Sequence, residues 1–174
     1  EKNGVFFVGK KTKTRSQIIK FLMENNIPLK CYGKGWDNPP IYGEPLVNLY
    51  RKAAIVLNFS QQLPSYSIRV YQATGCGAFL ISQYSTDLAK AFKFGKEIEY
   101  FKTKTELLEE IKYYLSHSKE RNAIADAGCN RTHKDYTWKQ LMNSLLTVRF
   151  FRFLSMRFYD FANIVKINSS YRKI

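Results

Sequence analysis

Short apolar runs recur about every 20 to 25 residues along this chain, separated by polar segments with a helical period. Val5-Phe6-Phe7-Val8 reads as a buried strand ending at the Gly9 turn. Residues 15–25, with Ile18, Ile19, Phe21, Leu22 and Met23, read as a helix that Asn26 and Pro28 stop. A second strand covers 29–33, a loop with Pro39-Pro40 covers 35–43, and a short helix covers 45–53 with Pro45 in its first turn. Residues 54–59 are apolar almost throughout, as a strand buried on both faces must be. A polar loop from Ser60 to Ser65 leads into a short helix over 67–75, stopped by Gly75-Cys76-Gly77, and then a fourth strand over 78–82. A helix over 87–94 with Thr86 as N-cap, a fifth strand over 98–101 and a helix over 105–117 follow, the last opened by a Thr103/Glu106 capping box. Further helices are predicted over 119–131 and from about Tyr136.

This alternation predicts an α/β fold: a doubly wound parallel sheet, Rossmann-like, with right-handed crossovers. Near Leu146 the composition shifts. Residues 146–174 carry Arg149, Arg152, Arg157, Lys166, Arg172 and Lys173 against Asp160 alone, which makes them net +5 and leaves +9 for residues 1–145. The expected organisation is therefore a Rossmann-like domain over 1–145 and a basic aromatic tail over 146–174. In that tail Phe150, Leu154, Phe158, Phe161 and Val165 form one helical stripe. The stripe suits docking onto protein, and an Arg/Phe amphipathic helix also suits an anionic membrane surface.

Charge changes the picture next. The net charge of +14 points to phosphate-bearing partners or a membrane surface without choosing between them. At 45% hydrophobic residues the chain is too apolar for a disordered polycation. No run of about 18 apolar residues is present to span a membrane. Three widely spaced cysteines, Cys31, Cys76 and Cys129, argue for a reducing compartment, so the expected location is cytoplasmic, with membrane-peripheral attachment through the tail as the alternative. A strand beginning almost at once, with no leader pattern ahead of it, reads as a piece of a longer protein.

On a doubly wound sheet, ligands bind at the carboxyl ends of the strands near the switch point. Three loops lie there. Gly9-Lys10-Lys11-Thr12-Lys13-Thr14-Arg15 pairs a glycine with cations before a helix N-terminus, which suits a diphosphate, although on sequence statistics alone a solvated basic turn is the commoner reading. It lacks the second glycine of a Walker A loop. In Tyr32-Gly33-Lys34-Gly35-Trp36-Asp37 a base or sugar can lie against backbone at Gly33, and Trp36 is either a stacking surface or a loop anchor. In Ser65–Phe79, Ser65 or Ser67 can cap a helix and leave its amides for a phosphate. Arg69 in the first turn can grip phosphate, and Gln72 can reach ribose hydroxyls; the bland alternative is a packed helix with an exposed Arg.

The residues of this third loop carry a resemblance. Ser67-Ile68-Arg69-Val70-Tyr71-Gln72-Ala73, followed by Cys76-Gly77-Ala78-Phe79-Leu80, resembles the S-x-R-x-F-E-A-x-A-C-G-A-F core of CgeB-like glycosyltransferases, the spore-maturation-protein type with the GT-B fold. The similarity continues through Tyr84-Ser85-x-Asp87-Leu88, Gly95-Lys96-Glu97-Ile98 and Tyr100-Phe101, and upstream through Tyr50-Arg51-Lys52-Ala53 and Val8-Gly9. It covers about residues 5–145, the C-terminal, nucleotide-sugar-binding half of such an enzyme. The resemblance implies a transferase of hexosyl type that takes a nucleoside-diphosphate sugar, with an unknown acceptor held mostly by a separate N-terminal Rossmann half. It implies Arg69 and Lys10 as catalytic residues, with Gly9, Arg15, Gly33, Ser67, Ile68, Tyr71 and Gln72 binding the donor. The family's ribose-binding Glu falls at Gln72, and the position eight residues earlier, often Glu in related retaining enzymes, is Pro64.

Charge developing on a leaving diphosphate can be met by Arg, Lys and helix amides alone. No metal or other cofactor is therefore expected. There is no D-x-D motif, and Cys129-x-x-x-His133 lacks further ligands nearby in sequence. Two other readings stand beside the enzyme: a non-catalytic sugar-nucleotide or partner-binding remnant, suggested by Gln72 and Pro64, and a basic nucleic-acid-binding module. The latter ranks below because no helix-turn-helix, RNP or zinc-finger signature is present, so nucleic acid is not the expected partner.

Overall fold

The computed structural model describes residues 2–60, 65–140 and 142–147. Pro64 and the tail stripe from Phe150 to Val165 lie outside the described residues. The chain divides into two compact units, Glu1–Lys134 and Asp135–Ile174. In the second, residues 138–140 and 142–147 are helical.

The first unit carries five strands: β1 (Asn3–Val8), β2 (Leu29–Tyr32), β3 (Ala53–Asn58), β4 (Leu80–Gln83) and β5 (Glu99–Phe101). Every pairing is parallel and the order is β2-β1-β3-β4-β5. Chain order therefore reverses between β1 and β3, the crevice where doubly wound sheets bind ligands. Six helices complete the unit: α1 (Lys13–Glu24), α2 (Gly43–Lys52), α3 (Arg69–Gly75), α4 (Thr86–Ala91), α5 (Lys104–Ser116) and α6 (Ser118–Asp135).

Alternation along the strands explains the layers. Val5, Phe7, Ile55, Leu57, Ile81 and Phe101 join one core cluster with Ile19 and Leu22 of α1 and Leu107, Leu108 and Ile111 of α5. Val56 and Leu80, one step out of phase, are buried outside that cluster, and α2 and α3 pack against β3. All six residues of β3 are buried, as its apolar run requires of a central strand.

The boundaries show which local signals governed. Helix α1 starts at Lys13, ahead of the expected Arg15, because the Thr12 hydroxyl accepts the Arg15 N–H and caps it. Helix α2 starts at Gly43, so Pro45 is its third residue, still inside the first turn where no N–H is needed. Strand β4 starts at Leu80 rather than Ala78. Gly77 turns the chain at φ +73°, and the two residues after it are buried without joining the paired register. The cap of α4 is Ser85, not Thr86: the Ser85 hydroxyl accepts the Leu88 N–H from an extended backbone, and the helix ends at Ala91 rather than 94. The Thr103/Glu106 capping box forms as expected. Helix α6 runs to Asp135, four residues past the expected end at 131. Among the described residues no helix is long and apolar enough to cross a membrane.

Candidate functional site

Two glycines bring the β1 and β2 ends together. Gly9 N–H donates to the Tyr32 carbonyl at 2.8 Å, and Gly33 N–H to the Asn38 carbonyl at 3.1 Å. Their φ angles are +156° and +136°. A Cβ on Gly33 would collide with the Gly9 carbonyl, and one on Gly9 with the Arg69 guanidinium. Gly33 is therefore required by close backbone approach, and Gly9 is favoured by its positive φ. Trp36 is a loop anchor: its indole N–H donates to the Gly9 carbonyl at 2.9 Å, and its ring stands edge-on to Phe7.

Two guanidinium groups share the Phe7 ring, with the Arg15 Cζ 5.3 Å and the Arg69 Cζ 5.9 Å from its centroid. Arg15 is only 3% exposed. It donates to the Lys10 carbonyl at 2.9 Å and to the Phe59 carbonyl at 2.7 Å, tying the β1 turn to the end of β3. Burial, and then the charge of Arg69, push its pKa down to about 10. Arg69 is also pulled below its ordinary value by burial, with the nearby Tyr50 acting in the opposite sense. Its Nε is buried with no hydrogen-bond partner. Neither guanidinium has a carboxylate partner among the described residues, where Lys20–Glu24 and Lys90–Asp87 do pair. A guanidinium drawn out of water without counter-charge is costly, so this arrangement suits an anion.

A cavity of about 310 Å³ opens beside Arg69. Lys10, Lys34 and Arg69 line it with cations, Pro40, Ile41 and Leu46 with apolar side chains, and Gln72, Tyr42 and Tyr50 with further polar groups. Gly9 and Gly33 also line it. Of the residues expected at the site, Gly9, Lys10, Gly33, Arg69 and Gln72 thus meet in one place.

The others go elsewhere. Arg15 lines a second cavity of about 470 Å³, with Thr12, Thr14, Phe59, Ser60 and Gln83. Ser67 does not leave the start of α3 open as expected. Its hydroxyl accepts the Arg69 N–H at 3.2 Å and its carbonyl the Val70 N–H at 3.0 Å, so those amides are occupied by the chain itself. Ile68 is 60% exposed. The Tyr71 ring packs against Tyr66 and Phe92, and its hydroxyl pairs with that of Tyr66. None of these three lines the 310 Å³ cavity.

Sequence reasoning passed over Pro40, Ile41, Tyr42, Leu46 and Tyr50. A usable signal was there, since Pro39–Tyr42 directly follows the Gly33 loop and Tyr50 belongs to a motif quoted for the family resemblance. Cys129 and His133 both address the Gly75 carbonyl, at 3.8 and 3.0 Å, and brace the end of α3 against α6. Among the described residues no group of three or more His, Cys, Asp or Glu is arranged to hold a metal.

Comparison with known proteins places this geometry. A family model described as glycosyl transferase-like matches residues 13–147. No curated protein matches the sequence. Among solved structures, HepE from Anabaena in complex with UDP-glucose superposes with a TM-score of 0.69 at 10% identity, over 84% of this chain and 49% of that one. An α1,3-fucosyltransferase with GDP gives 0.59 at 18% identity, over 72% of this chain and 38% of the enzyme. The C-terminal domain of LpcC, a group 1 family glycosyl transferase from Francisella tularensis, gives 0.59 at 11% identity, over 79% and 88%. This chain therefore spans well under half of the fucosyltransferase and about half of HepE, but most of an isolated C-terminal domain. The fold is that of the C-terminal domain of GT-B glycosyltransferases.

Proposed function

Since the chain belongs to the glycosyl transferase-like family, we propose that it is the donor-binding half of a GT-B glycosyltransferase and holds a nucleoside-diphosphate sugar in the cavity between Gly9 and Arg69. The observation that carries this reading is Arg69 beside the Phe7 ring, partly desolvated, its Nε unpartnered and no carboxylate matched to it among the described residues. A diphosphate supplies the missing charge, and the apolar wall of Pro40, Ile41 and Leu46 supplies a face for the nucleoside. Similarity to structures bearing GDP and UDP-glucose supports the same ligand class. The CgeB-like subtype and a hexosyl group remain the finer form of the proposal, resting on the run from Ser67 to Leu80.

In transfer, an acceptor oxygen bonds to the anomeric carbon while the bond from that carbon to the β-phosphate oxygen breaks. The electron pair stays on the leaving diphosphate, which takes up the proton that the acceptor oxygen loses. Arg69 and Lys10 are the groups that meet the growing charge, a task preorganised donors perform best in a desolvated site. With that charge met by side chains, the reaction proceeds without a metal ion. The acceptor is bound mainly by a partner half outside this chain.

Titration calorimetry with UDP and GDP tests the reading. One of the two binds, and Arg69→Ala weakens it by about tenfold to hundredfold, the range for a lost charged hydrogen bond. Absence of heat with both, or equal affinity in the variant, refutes it. A remnant would bind the nucleotide yet fail to release it from its sugar when the partner half is supplied.

A further inference from the structure

Tyr50 is the one fully buried residue of the ten in α2, at 1% exposure, yet it lines the same cavity as Arg69 and Gln72. No described residue forms a hydrogen bond with its hydroxyl, and it borders an Arg69 whose Nε is buried and equally unpartnered. The hydroxyl opens on the cavity and bonds to no described residue, so a phenylalanine would fill the same space in the fold. The Arg69 Nε–H can only donate, and the Tyr50 hydroxyl is free to donate beside it. Only an acceptor-rich ligand satisfies them together, and only an anionic one also offsets the guanidinium charge.

Resting on the donor-site reading above, we infer that Tyr50 is a further ligand-contacting residue, its hydroxyl donating to the same phosphate group that Arg69 holds. Helix α2 is thereby drawn onto the diphosphate, because its single buried anchor is also a ligand contact. The desolvation that drives the Tyr50 pKa up to about 12, partly countered by the charge of Arg69, keeps the hydroxyl protonated and able to donate throughout the neutral range.

Tyr50→Phe tests this, with UDP, GDP, uridine and guanosine as probes. The variant is expected to bind whichever diphosphate the parent prefers about tenfold more weakly, and the matching nucleoside within about twofold of the parent. Its ligand-free melting temperature is expected to equal or exceed that of the parent, a result that a merely structural hydroxyl would not give. Equal loss for nucleoside and diphosphate would put the contact on ribose or base and overturn the inference. So would unchanged diphosphate affinity, or a variant that melts lower or fails to fold. A parent that binds neither diphosphate instead refutes the donor-site reading itself, so the two failures are distinguishable.

Discussion

Arg15 and Arg69 stand against one aromatic ring, but their surroundings give them different work. Arg15 is satisfied by two backbone carbonyls, those of Lys10 and Phe59, and its charge holds a turn in place. Arg69 keeps an unpartnered Nε beside an open cavity. The second is the one we assign to a ligand, the first the one that holds the frame around it. A similar contrast sets the behaviour of the carboxylates. Glu99, on the edge strand β5 and 7% exposed, has its pKa raised to about 7, chiefly by burial and then by the charge of Glu110, against a hydrogen bond from Gly95 N–H. The folded state therefore holds a proton that the unfolded chain releases at ordinary carboxylate pH. The resulting stability is fully present below the unfolded pKa and is lost as pH rises through about 7. Denaturation in urea across pH 4.5 to 8 is expected to show this decline. In Glu99→Gln the decline is expected to flatten, with stability gained at pH 8 and little changed at pH 5.

At the scale of elements, capping decides where helices begin, and it does so through single hydroxyls. Ser85→Ala is expected to cost about 1 kcal/mol, the usual worth of an N-cap, while Thr86→Ala costs a few tenths. Urea unfolding of the two variants checks it; the reverse order would move the cap back to Thr86. The succession of strands and helices was legible in the sequence because apolar runs and glycine turns are local signals. So was half of the site: Gly9, Lys10, Gly33, Arg69 and Gln72 follow strands or open a helix, and topology carries such positions to the carboxyl edge. Arg15 was not legible, because its direction depends on a carbonyl 44 residues away. Tyr71 looked like a neighbour of the ligand but spends its ring on Tyr66 and Phe92. Tyr42 and Tyr50 reach the cavity from the start of α2 and from its buried face, positions that the loop after Gly33 and the Tyr50 motif marked only faintly.

For the whole molecule, the surplus of 28 Lys and Arg over 14 Asp and Glu acquires a partial address. The described ion pairs are exposed helical pairs worth little to stability. Lys10, Lys34 and Arg69 instead converge on one cavity, at the strand reversal between β1 and β3. Glycines that permit backbone contact, a buried cation that pins the turn and an unpartnered one that faces the opening all serve that point. The most direct measurement is a crystal structure of the chain with UDP or GDP bound. The phosphates are expected within hydrogen-bonding distance of Arg69 and Lys10, beside Gly9, with the nucleoside toward Ile41. Phosphates seated instead in the cavity lined by Arg15 and Gln83, or a nucleotide held away from Arg69 altogether, would contradict the account.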